Sequence, residues 1–322
     1  MYRVVTLIAV ALILAVGIGQ SASNKRSYVA GHFILDLDGA QSLLGACDGG
    51  GTTSEVIEDT DPKGVARKHI GGVKYEDISV TCGTGMSKNM YEWLKASFDK
   101  SPLRRNGALL AADFDYKEKA RLQFSNALIT EIGMPALDAS SKDAAKMTLK
   151  FSPESTRYSP GSGAELPKID SKTQKKWLPA NFRLKIDGLD EPCRRVNKIE
   201  ALTIKQKVVQ DPVGAVQFGY EIPNLVITLP ESHAKAFYDW HEDFVIKGNN
   251  SDEAEKGGSL EYLTPDLKEA LFTVTFKNLG IFKVTPDKTE AGSEQIRRVK
   301  CEMYCEDIRF NYSPAATFGI TP

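Results

Sequence analysis

Residues 33–39 read Phe-Ile-Leu-Asp-Leu-Asp-Gly, and residues 182–188 read Phe-Arg-Leu-Lys-Ile-Asp-Gly. Phe33, Leu35 and Leu37 recur at every second position, as do Phe182, Leu184 and Ile186. Period-two alternation that stops at Asp-Gly predicts a strand running into a tight turn. The two stretches lie 149 residues apart (188 − 39). The residues downstream of each stretch repeat as well, and that repetition sets the architecture.

Ile78 and Val80 match Leu225 and Ile227, and Tyr91-Glu92-Trp93 matches Tyr238-Asp239-Trp240, at a spacing of 147 (240 − 93). Met86, Met90, Trp93 and Leu94 form one apolar stripe of helical period, and Phe237, Trp240 and Phe244 form the other. Thr228-x-x-Glu231 has the pattern of a capping box, with Pro230 in its first turn. A third block pairs Leu122-Gln123-Phe124-Ser125-Asn126 with Val274-Thr275-Phe276-Lys277-Asn278, and Arg157-Tyr158 with Arg309-Phe310, at 152 (309 − 157). Landmarks in one order at nearly constant spacing imply two copies, residues 27–158 and 181–312, which differ by small loop insertions.

Each copy reads as strands around a single helix. In the first, strands are expected near Phe33–Leu37, Ser54–Glu58, Val73–Thr81, Ala108–Phe114, Lys119–Ile132 and Ala145–Phe151. In the second they fall near Phe182–Ile186, Ala201–Val209, Ala215–Thr228, Ser259–Leu263, Glu269–Val284 and Ile296–Arg309. The class is mainly β (α+β): a small barrel or sandwich with one flanking helix per copy. Residues 159–180, with Pro160-Gly161-Ser162-Gly163 and the basic run Lys172 to Lys176, read as a solvated linker, and 313–322 as a tail.

A chain of 322 residues has room for about two domains of ~150 residues. Lys and Arg number 41 against 42 Asp and Glu, a net charge of −1, so the totals lack the basic excess of a direct nucleic-acid binder. The 42% hydrophobic and 26% charged fractions are those of an ordinary globular chain, which excludes a disordered, collagenous or polytopic membrane protein. Residues 1–23 read as a signal peptide. Arg3 gives the positive start, 4–18 the apolar region, and Ser21-Ala22-Ser23 a cleavage site before Asn24. The apolar run is short for a span of ~20 residues, and no second run approaches that length. Export to the periplasm or the exterior is therefore expected, with an uncleaved anchor as the other outcome. The five cysteines leave at least one thiol unpaired. Cys301 and Cys305, four apart on a strand, are ~13 Å from one another, too far to bond, and are expected as buried small side chains.

No catalytic, cofactor or metal site is expected. Gly83-Thr84-Gly85 lacks the third glycine of a dinucleotide loop, since Lys88 stands in its place, and reads as a tight turn into the helix. Gly49-Gly50-Gly51 lacks the Gly-Lys-Ser/Thr of a phosphate loop and reads as a mobile loop. His32, His69, His233 and His241 form no chelating pattern. Asp36, Asp38, Asp187 and Asp190 lack the dense oxygen spacing of a calcium loop; turn chemistry accounts for Asp38-Gly39 and Asp187-Gly188. Tyr91, Trp93, Tyr238 and Trp240 would stack sugars if exposed, but the helical spacing places the tryptophans in the core.

The order of these features resembles the tail tube protein family of contractile-tailed phages, whose fold is shared with the ring-forming tube protein of type VI secretion. A strand ends in Asp-Gly, and a Gly-rich, charged hairpin leads to Ile70-Gly71-Gly72-Val73-Lys74-Tyr75. The Trp93 helix comes next, then a hairpin around Asp113–Lys119, then Phe124-Ser125-Asn126. The second copy replaces Gly71-Gly72 with Phe218-Gly219. The resemblance implies two tandem barrels, self-association into a ring of six units, and contacts with other tail-like or secretion components. Family members are single-copy and cytoplasmic, so a duplicated, exported chain fits a cellular relative or hub-like ring better than a long tail tube. With two units per chain, the simplest ring is a trimer. The other reading is an exported monomeric barrel that binds a protein or glycan.

Overall fold

The computed structural model describes residues 29–313 apart from 61–62, 84, 102, 169–176, 211–215 and 289–295. The expected signal segment, the run Lys172 to Lys176 and all of the tail but Ser313 lie outside the described residues.

The N-terminal unit is built from β1 (His32–Leu37), β2 (Ala40–Gly49), β3 (Thr52–Thr60), β4 (Ala66–Tyr75), β5 (Ile78–Cys82), helix α1 (Lys88–Phe98), β6 (Arg105–Ala112), β7 (Glu118–Met134), β8 (Leu137–Asp138), β9 (Met147–Ser152) and β10 (Ser155–Pro160). The strand order β7-β6-β1-β2-β5-β9, with β9 pairing back onto β7, closes a six-stranded antiparallel barrel. Closure pairs both edges of the sheet. Strands β3 and β4 leave the wall as a separate two-stranded hairpin. Ser87 caps α1 by accepting from the Met90 amide. Trp93 is fully buried, its ring centroid 5.2 Å from that of Phe151, and its indole N–H donates to the Leu103 carbonyl at 2.7 Å.

Three expectations change here. Strand β2 escapes the sequence pattern because its register slips between Leu44 and Ala46, which breaks the alternation at Gly45. The expected strand Val73–Thr81 is two strands, β4 and β5, divided at Glu76-Asp77. Gly49-Gly50-Gly51 is an ordered turn. Gly49 and Gly50 have φ of 84° and 75°, Gly50 is buried, and a Cβ on it would stand 2.5 Å from Leu122 Cδ2.

The C-terminal unit comprises β11 (Phe182–Ile186), the helical turn α2 (Asp190–Cys193), β12 (Lys198–Ile199), β13 (Leu202–Gln210), β14 (Val216–Glu221), β15 (Leu225–Pro230), α3 (Lys235–His241), β16 (Lys256–Leu263), β17 (Ala270–Pro286) and β18 (Arg298–Tyr312). Its wall runs β11-β16-β17-β18-β15-β12, and α2 lies between β11 and β12 in the chain. The expected capping box is absent. Thr228 lies inside β15, opposite Lys300 of β18, so its backbone belongs to the sheet, and the 3-10 turn Glu231–His233 has no side-chain cap.

Register repeats as well as order. Ile78 and Val80 face Phe151 and Leu149 in one unit; Leu225 and Ile227 face Met303 and Cys301 in the other. Bulges interrupt β7 between Ile129 and Glu131 and β17 between Ile281 and Lys283. Asn126 and Asn278 both hold positive φ, 51° and 54°. Each amide donates to a glutamate, Glu154 at 2.9 Å and Glu306 at 2.7 Å. Both pairs are spaced by 152 (278 − 126; 306 − 154). In the C-terminal unit the counterparts of β9 and β10 run on as the single strand β18.

The segment between the units is partly packed rather than wholly solvated. Leu166 is buried, and Trp177 is 2% exposed with its ring edge-on to Tyr262 and Phe272. Burying an indole against apolar neighbours removes a large apolar area from water, which outweighs keeping the segment extended.

All five thiols are free. Burial pushes Cys82, Cys193 and Cys301 up to about 12 and Cys305 to about 11, from an ordinary 9.0. The unfolded thiols ionise first, so this contribution to stability is complete below pH ~9 and is lost as pH rises toward the folded values. Urea midpoints should therefore be flat from pH 7 to 8 and fall progressively above pH ~9. A midpoint that rises in that range would contradict the buried, neutral placement.

Candidate assembly interface

The two units are joined edge to edge. Strand β13 adds antiparallel to the outer edge of β7, with Leu202, Thr203, Ile204 and Lys205 opposite Met134, Gly133, Ile132 and Glu131. Leu202 and Ile204 are thereby buried. The two-residue strand β8 pairs with β12 in the opposite wall. Each addition satisfies main-chain groups that an open edge would leave to water or to another chain.

Helix α1 forms the second part of the joint. Its stripe of Met90, Trp93 and Leu94 is buried, as expected from sequence. Tyr91 and Phe98 face the other unit: Phe98 stacks on Phe310 at 5.0 Å, and Tyr91 on Tyr312 at 4.8 Å. Around this apolar centre Lys100 pairs with Asp307 at 2.8 Å and Arg309 with Asp99 at 3.7 Å. Burial pushes the Asp307 carboxyl up, but its bonds to Lys100 and Arg309 outweigh that and hold it below the usual carboxylate range. An aromatic centre with a charged rim is how a lasting protein–protein contact is built.

Exposed apolar side chains also lie outside the joint. The β3–β4 hairpin exposes Val56, Ile57, Ile70 and Val73. Beside it the N-terminal barrel carries an apolar cleft of 260 Å³ lined by Phe33, Leu109, Leu122 and Tyr158 among others, with Tyr158 66% exposed. At the far end, Val245 and Ile246 project from the π-helical turn Glu242–Ile246 that continues α3, and Ile246 is 72% exposed.

Asp36 accepts from the Gly39 amide, Asp38 pairs with Arg105, and Asp187 accepts from the Gly257 amide. His32 stacks on Tyr116 at 3.8 Å, and His69 and His233 are exposed. Trp93 and Trp240 are both buried. Thr84 of the Gly83–Gly85 turn lies outside the described residues. Among the described residues no group of three His, Cys, Asp or Glu is placed to hold a metal ion, and no helix is long and apolar enough to cross a membrane. A cavity of 580 Å³ is lined by Asp138, Ser140, Lys198, Glu200 and Lys300 among others; in it Lys300 pairs with Glu200 at 2.6 Å and the Ser140 hydroxyl donates to the Asp138 carboxylate. Sequence reasoning does not anticipate the joint: Tyr91 and Phe310 enter it as landmarks of the repeat, and Phe98 and Tyr312 are not singled out. The signal for them is the second apolar row on α1, at Tyr91, Leu94 and Phe98.

A family model described as T4-like virus tail tube protein gp19 matches residues 29–157. Among solved structures, the sheath-tube complex of an extracellular contractile injection system (PVC) in its extended state is 16% identical, covering 42% of this chain and 94% of that one, with a TM-score of 0.38. The tube-terminating cap of the anti-feeding prophage is 18% identical, over 45% and 99%, with a TM-score of 0.38. Hcp1 from Flavobacterium johnsoniae is 17% identical, over 42% and 99%, with a TM-score of 0.28. No curated protein matches the chain. The N-terminal unit is thus similar to the tail tube family over the residues that form its barrel.

Proposed function

We propose that this chain is a tandem duplication of a tail-tube-like barrel and serves as a non-enzymatic structural protein of a contractile-injection or secretion-like assembly. It self-associates into a ring of three chains and six barrel units, and contacts other components of such an assembly through the ring. One observation carries the reading: the two units repeat strand order, register, bulge positions and the Asn–Glu pairs at fixed spacing. Independent barrels share an order of strands far more readily than the positions of their irregularities. A joint between like units that leaves its two halves open at the chain ends invites repetition, and a closed ring is the form that leaves no half unpaired.

The protein is exported, with cleavage before Asn24. The test is made on secreted material. N-terminal sequencing should begin near Asn24, and light scattering should give about three chain masses. A monomer at high concentration would overturn the assembly reading and favour the monomeric binding module. An intact Met1 recovered only from the cytosol would overturn export.

A further inference from the structure

The joint inside the chain is a template for a joint between chains, and this inference rests on the tandem, ring-forming reading above. Transposing the β13–β7 contact by the spacing of the units locates both of its open halves. Ser54 faces Val73 in one hairpin, and Gln206 faces Tyr220 in the other. Strand β13 therefore corresponds to β3 at a spacing of 152 (206 − 54), and β17 corresponds to β7 at the same spacing (281 − 129). The residues that would repeat the contact are Gly50–Thr53 on one side and Lys283–Pro286 on the other.

Each carries one residue whose main-chain groups turn away from its partner strand, Thr52 and Val284, whereas the Gly50 amide already donates to the Asp77 carbonyl at 3.1 Å. No described strand pairs with β17 over Lys283–Pro286 on the side away from β18. The Asp287 amide donates to the carbonyl of Arg298. By the antiparallel alternation Thr285 also faces β18, and Val284 turns its main-chain groups outward. On the hairpin the Glu76 amide donates to the Gly51 carbonyl, so Thr52 faces away from β4. Thr52 and Val284 thus occupy the positions that Ile204 and Ile132 hold in the formed joint. Burial follows the same logic. Ile132 and Met134 are buried under β13, whereas their counterparts Val284 and Pro286 are half-buried and exposed.

The second half of the joint transposes independently. Phe98 of α1 covers Phe310 of the neighbouring unit. Their counterparts are Val245 (245 − 98 = 147) and Tyr158 (310 − 158 = 152), both left exposed by this chain, 43% and 66%. Tyr158 lines the 260 Å³ apolar cleft. The same face in the C-terminal unit is closed, with Leu260, Val274 and Phe310 fully buried.

We propose that the occupant of these surfaces is a second copy of this chain, added head to tail. The β3 edge of one molecule pairs antiparallel with the β17 edge of the next, with Gly50, Gly51, Thr52 and Thr53 opposite Pro286, Thr285, Val284 and Lys283. Val245 and Ile246 enter the cleft beside Tyr158. Pro286, which cannot donate, falls opposite Gly50, whose carbonyl already accepts from the Thr156 hydroxyl at 2.9 Å.

Cross-linking tests the register, in a Cys47→Ser background that removes the most accessible native thiol. Thr53→Cys and Lys283→Cys are exposed single substitutions. Mixed and oxidised, they should give a covalent dimer that neither gives alone. The double variant should give a ladder ending at the cyclic trimer. Glu131→Cys with Lys205→Cys, the corresponding pair inside one chain, should close an internal disulfide and reports that the template joint is formed. If the internal pair closes and light scattering shows assemblies, but Thr53→Cys and Lys283→Cys do not link, this joint is wrong and ring formation stands. If the internal pair closes and the protein stays monomeric, both fall. If the internal pair fails to close, the template itself is wrong and the proposal falls with it.

Discussion

Replacing Trp93 by alanine is expected to cost ~3–5 kcal/mol of unfolding free energy, the range for emptying a large buried aromatic site. Trp93 is wholly buried, lies against Phe151, and ties α1 to the chain beyond it through its bond to Leu103. Alanine removes the ring, leaves the Leu103 carbonyl without that donor, and loosens the helix that also holds the neighbouring unit. Trp240 is the counterpart on α3, yet its setting differs. It is 8% exposed, its indole N–H makes no hydrogen bond, and the Lys256 ammonium lies 5.4 Å from its ring. Its replacement should cost less than that of Trp93. Chemical denaturation of the two variants measures both values. Equal or reversed losses would contradict the role given to α1.

Truncating Phe310 to alanine should have an effect of similar size, again ~3–5 kcal/mol, because its ring is shared by both units. It lies 5.0 Å from Phe98 and 5.7 Å from Phe272, so the change opens a cavity at the joint and at the C-terminal core together. Tyr158, its counterpart in the N-terminal unit, is 66% exposed in the single chain. Alanine there should change the stability of the dissociated chain by no more than ~0.5 kcal/mol, the usual range for a surface site. It should instead weaken association. Denaturation of dilute protein separates the two cases, and a large loss for Tyr158→Ala with no change in association would break the correspondence between the units.

The strands with apolar residues at every second position were legible in the sequence. Phe33, Leu35 and Leu37, and Phe182, Leu184 and Ile186, form β1 and β11 within a residue of the expected bounds. Local irregularity hid the rest. The Gly45 bulge obscures β2, and the turn at Glu76-Asp77 hides between two apolar runs that read as one. Capping chemistry misleads at Thr228, because a cross-strand partner, Lys300, outcompetes a local turn. The joint was legible only in half. Leu202 and Ile204 announce a buried strand face, but what buries them is Ile132 and Met134, about 70 residues away, and nothing local to β13 specifies that. Tyr158 and Ile246 sit in patterns that place neither in a core, and their exposure takes on meaning only once their counterparts are seen in a formed contact.

Like units should continue, chain after chain, the joint that this chain makes with itself. Class averages of the secreted protein by electron microscopy put that continuation to the test. Closed rings of six barrel-sized lobes are expected, threefold symmetric because alternate lobes differ. A field of isolated two-lobed particles at concentrations where light scattering has saturated would contradict it.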